Sequence, residues 1–265
     1  MDNRIDLRLA EARASRRTAL APFVTVGFPD VDTSVEIVAA LAESGCDVIE
    51  LGVPFSDPLA EGKTIQKTSL HALRQGVSVS TVVEVVRRLR RRGVDVPLVL
   101  MGYINPILSH GLERFADEVT DAGADGLIVA DVPTEEAGQI RETCLGRGLY
   151  LIPLLAPTSS DRRIAAACKE ASGFIYCVSL TGVTGARQRL RTGVSGLVGR
   201  IRRHTGLPVL VGFGISSRAH VEEVSRFADG VVVGSALLDA VDRAPDGMAV
   251  RAAVDFANGL RAADG

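Results

Sequence analysis

The segment Glu50-Leu-Gly-Val-Pro-Phe-Ser-Asp-Pro-Leu-Ala-Glu-Gly62 places two carboxylates at the end of an apolar run, Val48-Ile49, and in the loop that follows it. Apolar runs of this kind read as strands buried on both faces, where an unpaired charge is costly. A glutamate at the end of such a strand, Glu50, therefore points to acid–base chemistry, the alternative being a structural Glu bonded to loop amides. Read alone, Glu61 is a solvated loop charge.

Other chemistries find fewer residues. A Schiff-base barrel needs a lysine on a strand. The only lysines are Lys63, in the loop after the second strand, and Lys67 and Lys169, on helical patterns. His71, His110, His204 and His220 fall away from predicted strand ends, so neither a metal nor another cofactor is expected. No Ser–His pair stands out. Carboxylate chemistry remains.

Three small-residue loops read as an anion cradle: Thr181-Gly-Val-Thr184-Gly185, Gly212-Phe-Gly214-Ile-Ser216 and Gly234-Ser235-Ala236. Glycines let backbone N–H groups approach an anion, and Ser235 begins a short predicted helix whose N-terminus favours negative charge. The loop Ala130-Asp-Val-Pro133 has no such glycines, which implies one phosphate rather than two. Phe23, Met101, Tyr103, Ala130 and Phe213 lie at predicted strand ends and would give the pocket an apolar wall. Tyr176, alternating with Phe174, points either into the mouth or into the core. The combination suits a flat hydrophobic group joined to a phosphorylated tail.

The elements that must position these residues are eight apolar runs, at Phe23–Val26, Val48–Leu51, Leu98–Met101, Gly126–Val129, Tyr150–Leu154, Phe174–Cys177, Val209–Gly212 and Gly230–Val233. Amphipathic stretches separate them, among them Thr33–Ser44, Thr81–Arg91, Leu112–Ala122, Glu135–Leu145, Asp161–Ala171, Gly196–His204 and Arg218–Phe227. A small-residue-then-Asp turn recurs before strands, at Asp47, Asp125 and Asp229. This alternation predicts an α/β fold, a single (β/α)8 TIM-barrel domain over residues 1–265, with an extra N-terminal helix near Asp6–Arg16 covering its bottom and a final helix after Ala249. A doubly wound open sheet is the runner-up, but no dinucleotide-type glycine motif follows the first strand.

Composition agrees. In 265 residues, 46% are apolar and the net charge is −2, which gives no case for nucleic acid or an anionic membrane. The run Arg87-Arg88-Leu89-Arg90-Arg91-Arg92 reads as a solvated helix end, where cations complement the dipole. No apolar stretch is long enough to span a bilayer, and the N-terminus does not read as a secretion signal. Cys46, Cys144, Cys168 and Cys177 are scattered and read as reduced thiols, which suits the cytoplasm.

Taken in order, E-L-G-V-P-F-S-D-P-L-A-E-G, Met101-Gly-Tyr-Ile-Asn-Pro-Ile107, Tyr176-Cys-Val-Ser-Leu-Thr-Gly-Val-Thr-Gly185, Gly212-Phe-Gly-Ile-Ser and Val233-Gly-Ser-Ala resemble the tryptophan synthase alpha chain family from about Pro22 to Leu238. The resemblance implies a lyase that splits indole-3-glycerol phosphate into indole and glyceraldehyde 3-phosphate by a retro-aldol step. Glu50 stands at the position of the family's catalytic glutamate, and Glu61 where the family carries an aspartate that steadies charge on the ring nitrogen. Gly185, Gly214, Gly234 and Ser235 would hold the phosphate, while Phe23, Tyr103, Tyr176, Thr184 and Phe213 would line or close the pocket. The family partner is a pyridoxal-phosphate beta chain in a hetero-tetramer of two alpha and two beta chains, met through the Pro54–Asp57 and Asn105-Pro106 loops.

Two residues depart from the family's A-D-G-P: Glu61 and Lys63. The extra methylene moves the carboxylate by about 1.5 Å, and Lys63 could pair with it and hold it off the ring. The alternatives this opens are a stand-alone lyase of a specialised indole pathway and a weakly catalytic activating subunit.

Overall fold

The computed structural model describes residues 3–178, 187–212 and 214–261. Nine parallel strands lie among them: β1 (Ala19–Thr25), β2 (Ile49–Gly52), β3 (Leu98–Gly102), β4 (Gly126–Val129), β5 (Tyr150–Leu151), β6 (Leu154–Leu155), β7 (Ile175–Val178), β8 (Val209–Gly212) and β9 (Gly230–Val233). The helices are α1 (Arg4–Ala14), α2 (Val31–Glu43), α3 (Lys63–Arg74), α4 (Val79–Arg91), α5 (Ile104–His110), α6 (Leu112–Ala122), α7 (Gly138–Leu145), α8 (Asp161–Glu170), α9 (Arg187–Ile201), α10 (Arg218–Val224), α11 (Ser235–Asp242) and α12 (Ala249–Leu260). The sheet runs β5-β4-β3-β2-β1-β9-β8-β7-β6, and its two ends are consecutive in the chain. The expected α/β barrel with its N-terminal helix is the fold.

Closure explains the extra strand. The single expected strand Tyr150–Leu154 divides at Pro153, which has no N–H to give. Ahead of the division Leu151 pairs with Leu127 of β4, and beyond it Leu154 pairs with Tyr176 of β7. The switch falls between two residues: Ile152 N–H donates to the Leu127 carbonyl at 2.9 Å, and the Pro153 carbonyl accepts from Tyr176 N–H at 3.1 Å.

Helix α1 plugs the bottom. Its Ile5, Leu9 and Ala12 join interior side chains from the strands, including Ala21, Val48, Val99, Ile128, Phe174 and Leu210. The recurring aspartates fasten it. Asp47 accepts from Leu20 N–H, Asp125 from Leu98 N–H and Asp229 from Val209 N–H, so each closes the start of a neighbouring strand. Arg8, Arg4 and Arg13 of α1 respectively lie within ion-pair distance of those three carboxylates.

Local signals account for several boundaries. Gly45 and Gly123 leave α2 and α6 with φ +87° and +100°, which a side chain would resist. The N-cap of α4 is Ser78 in a capping box with Thr81, so the helix starts at Val79, two residues ahead of the expected Thr81. Helix α9 begins at Arg187 rather than Gly196, because Gly193, Gly196 and Gly199 lie inside it and blur its periodicity. Two helices fall outside the expected stretches. Helix α3 starts from Gly62 with no side-chain cap, so Lys63 opens a helix rather than lying in a loop. Helix α5 carries Pro106 in its first turn, where proline is tolerated but reads as a loop breaker.

Candidate active site

The strands are parallel, so their C-terminal ends meet at one mouth. Along β2 the side chain of Val48 belongs to the barrel interior, and alternation puts Glu50 on the same face. Glu50 is 0% exposed, and among the described residues neither carboxylate oxygen has a hydrogen-bond partner. Burial, and then the charge of Glu61, hold its pKa well above the ordinary carboxylate range. No loop amide among the described residues bonds to it. A buried carboxyl with its pKa raised in this way suits proton donation.

Glu61 lies two residues before α3 and is not the solvated loop charge it seemed in isolation. Burial pushes its carboxyl up to about 7. Its backbone is held at both ends: Glu61 N–H donates to the Pro58 carbonyl at 3.0 Å, and Gln66 Nε2 donates to the Glu61 carbonyl at 2.9 Å. No ion pair joins it to Lys63 among the described residues, contrary to the expectation from their spacing. The fold thus brings both sequence-predicted carboxylates into electrostatic contact.

Aromatic side chains rest on glycines around them. Phe23 stands opposite Glu50 in the β1–β2 register, and its ring lies against Gly52, where an added Cβ would come within 2.3 Å. Tyr176 stands opposite Leu210 and lies on Gly212 in the same way, an added Cβ falling 2.2 Å from its hydroxyl oxygen. Of the two placements open for Tyr176, the geometry joins them: the side chain is buried and belongs to the interior cluster, yet burial and the charges of Glu50 and Glu61 all raise its pKa. Tyr103 accepts the Ala60 N–H at 3.2 Å through its hydroxyl and stacks on Phe55, ring centroids 5.0 Å apart. It therefore clamps the loop that carries Glu61.

Of the expected cradle residues, Gly214, Gly234 and Ser235 are described. Gly234 follows β9 and Ser235 opens α11, with no side chain capping that helix. Its unspent N–H groups suit an anion. A Cβ on Gly234 would stand 3.5 Å from both Phe23 and Ile65, so cradle and carboxylates share one mouth. Gly214 has φ +50° and nothing within 4 Å of an added Cβ. Thr184, Gly185 and Phe213 lie outside the described residues. Sequence reasoning did not pick out Phe55, Ile65 or Asp131. Asp131 accepts Ile104 N–H at 2.9 Å and so seats α5 beside Tyr103. Its loop was read only for the apolar Ala130 and for the glycines it lacks.

The family model described as tryptophan synthase alpha chain matches residues 9–261. A tryptophan synthase alpha chain from Roseiflexus sp. (strain RS-1) is 51% identical over 98% of this chain and 99% of its own length. One from Geobacter sulfurreducens is 46% identical over 99% of both. Among solved structures, tryptophan synthase subunit alpha from Legionella pneumophila str. Paris superposes with a TM-score of 0.91 at 36% identity, covering 98% of each chain. Tryptophan synthase from M. tuberculosis in its aminoacrylate-bound form gives 0.87 at 36% identity, again over 98% of each. On sequence and fold alike, the chain belongs to the tryptophan synthase alpha chain family.

Proposed function

We propose that the chain cleaves indole-3-glycerol phosphate to indole and glyceraldehyde 3-phosphate, with Glu50 as its proton shuttle and Glu61 as the partner of the indole N–H. The observation that carries this assignment is the unpartnered, fully buried Glu50 carboxyl. Starting neutral, Glu50 gives its proton to the indole C3. The ring becomes a cation that draws electrons from the adjoining C–C bond. The resulting carboxylate takes the proton from the substrate hydroxyl as that bond breaks and the aldehyde forms. Glu61 accepts a hydrogen bond from the ring N–H as its positive charge grows, which favours the ionised form of a group poised near neutrality. Phe23, Tyr103 and Tyr176 wall the ring; Gly214, Gly234 and Ser235 receive the phosphate, and Thr184, Gly185 and Phe213 complete the assigned set.

The product suits a pyridoxal-phosphate beta chain that consumes it, and two exposed leucines favour such a partner. Leu59, in the loop after β2, is 89% exposed, and Leu108, on α5, is 56% exposed. Tyr103 joins the two elements through its contacts with Ala60 and Phe55. The four cysteines are buried and free, and no helix among the described residues is long and apolar enough to cross a membrane. Both features support a reducing, cytoplasmic setting.

The test is indole release from indole-3-glycerol phosphate, alone and with a beta chain. We expect turnover that Glu50→Gln lowers by about a thousandfold or more, as loss of a proton shuttle should. Full activity in that variant would overturn the assignment of Glu50, and no cleavage by the parent chain under either condition would overturn the lyase reading. Stimulation of a beta chain that survives Glu50→Gln without cleavage would identify an activating subunit instead. Fast turnover unaffected by a beta chain would identify a stand-alone lyase.

A further inference from the structure

Helix α3 lies alongside α11 in parallel, and three contacts give its register. Thr64 Oγ1 donates to Asp239 at 3.0 Å, Lys67 pairs with Asp242 at 2.5 Å, and a Cβ on Gly62 would stand 3.8 Å from Ser235 Oγ. The N-termini of two helices therefore converge beside the cradle. Both begin at a glycine, neither has a capping side chain, and neither has an acidic residue in its first turn. At this doubly positive place the sequence adds a cation: Lys63 is the first residue of α3.

A lysine at the start of a helix opposes the dipole, so the position needs another explanation. Lys63 and Lys67 are four residues apart and share the face of α3 that meets α11. Lys67 spends its charge on Asp242, whereas Lys63 has no ion pair among the described residues. Helical side chains lean toward the helix N-terminus, which here is the direction of Ser235. Glu61, two residues before it, and Asp239, bonded to the adjacent Thr64, form no ion pair with it among the described residues. An independent mark of a polar ligand lies in the same mouth. Glu50 is fully buried with both oxygens unpartnered among the described residues, and Phe23 stands opposite Glu50 and beside Gly234.

We infer that Lys63 is a phosphate-binding residue of this chain, its ammonium completing the cradle built from the α3 and α11 N-termini. The inference rests on the lyase reading above and adds a contact at the position where the family's usual motif has proline. It also gives the A-E-G-K departure a role other than neutralising Glu61.

The experiment compares the parent chain with Lys63→Gln and Lys63→Arg, using indole-3-glycerol phosphate, its dephosphorylated analogue indole-3-glycerol, and inorganic phosphate. Losing one charge-assisted hydrogen bond should raise KM for the phosphorylated substrate about tenfold, with the loss falling on KM rather than kcat. Lys63→Arg should restore most of it. Turnover of indole-3-glycerol should not respond, and phosphate affinity measured by calorimetry should fall by a similar factor in Lys63→Gln. An equal loss on both substrates, or unchanged phosphate affinity, would overturn the inference. If the parent chain cleaves neither substrate, the lyase reading fails, and the phosphate titration alone still decides the role of Lys63.

Discussion

At the scale of single residues, the two carboxyls trade stability for reactivity. The Glu61 carboxyl has a pKa of about 7 in the folded chain against an ordinary value of 4.5. Between those values the folded state holds a proton that the unfolded state has released, so stability falls as pH rises through that window. Each pKa unit is worth about 1.4 kcal/mol, which makes the effect a few kcal/mol at most. Glu61→Gln is therefore expected to melt at a higher temperature than the parent at pH 8, the gap closing below pH 4.5. Thermal melts of substrate-free protein across that range check the sign; a lower melting temperature for the variant at pH 8 would contradict it. Glu50 was legible in sequence because a charge at the end of an apolar strand is conspicuous. Glu61 was legible only through family resemblance, since its burial comes from a loop clamped by Tyr103 and Gln66, and neither contact leaves a local trace.

Elements are fixed by contacts that short motifs only hint at. The repeated Asp turn was visible as a repeat, yet its purpose needs three dimensions: each aspartate closes a neighbouring strand and faces an arginine of α1. Asp125 is the sharpest case, accepting from Leu98 N–H while pairing with both Arg90 and Arg4. Asp125→Ala should cost about 3 kcal/mol, because it leaves the strand N–H of Leu98 without an acceptor and the part-buried Arg90 guanidinium bonded only to the Gly123, Val94 and Val96 carbonyls. Asp95→Ala also removes a partner of Arg4, but from an exposed site, and should cost less than about 1 kcal/mol. Urea denaturation midpoints of the two variants would separate these outcomes, and equal midpoints would refute the distinction. The arginine run at the end of α4, expected as a solvated helix end, is a helix end, but Arg90 turns inward and is only 13% exposed. Arg88, Arg90 and Arg92 each find an acid on another segment: Asp32, Asp125 and Glu36. By contrast, α3 was illegible as a helix start because its cap is a glycine and its apolar residues are few.

For the whole molecule, the alternation of apolar runs and amphipathic stretches made a barrel legible, and the mouth followed from strand direction. The exposed leucines carry the remaining prediction. Leu59→Asp should weaken beta-chain binding at least tenfold, since it puts a charge where an apolar contact is expected, while the side chain is 89% exposed and phosphate affinity stays unchanged. A pull-down titration paired with calorimetry checks both halves; unchanged beta-chain affinity would remove Leu59 from the interface. How the cylinder closes was not legible, because a single apolar run conceals the change of neighbour at Pro153.

That change of neighbour makes residues 150–155 the one stave shared between two edges. Detach it, and β4 and β7 would each present a bare row of peptide groups, the template on which sheets from separate molecules join. A six-residue join thus stands between a closed, solitary cylinder and an open ribbon prone to stick to its own kind.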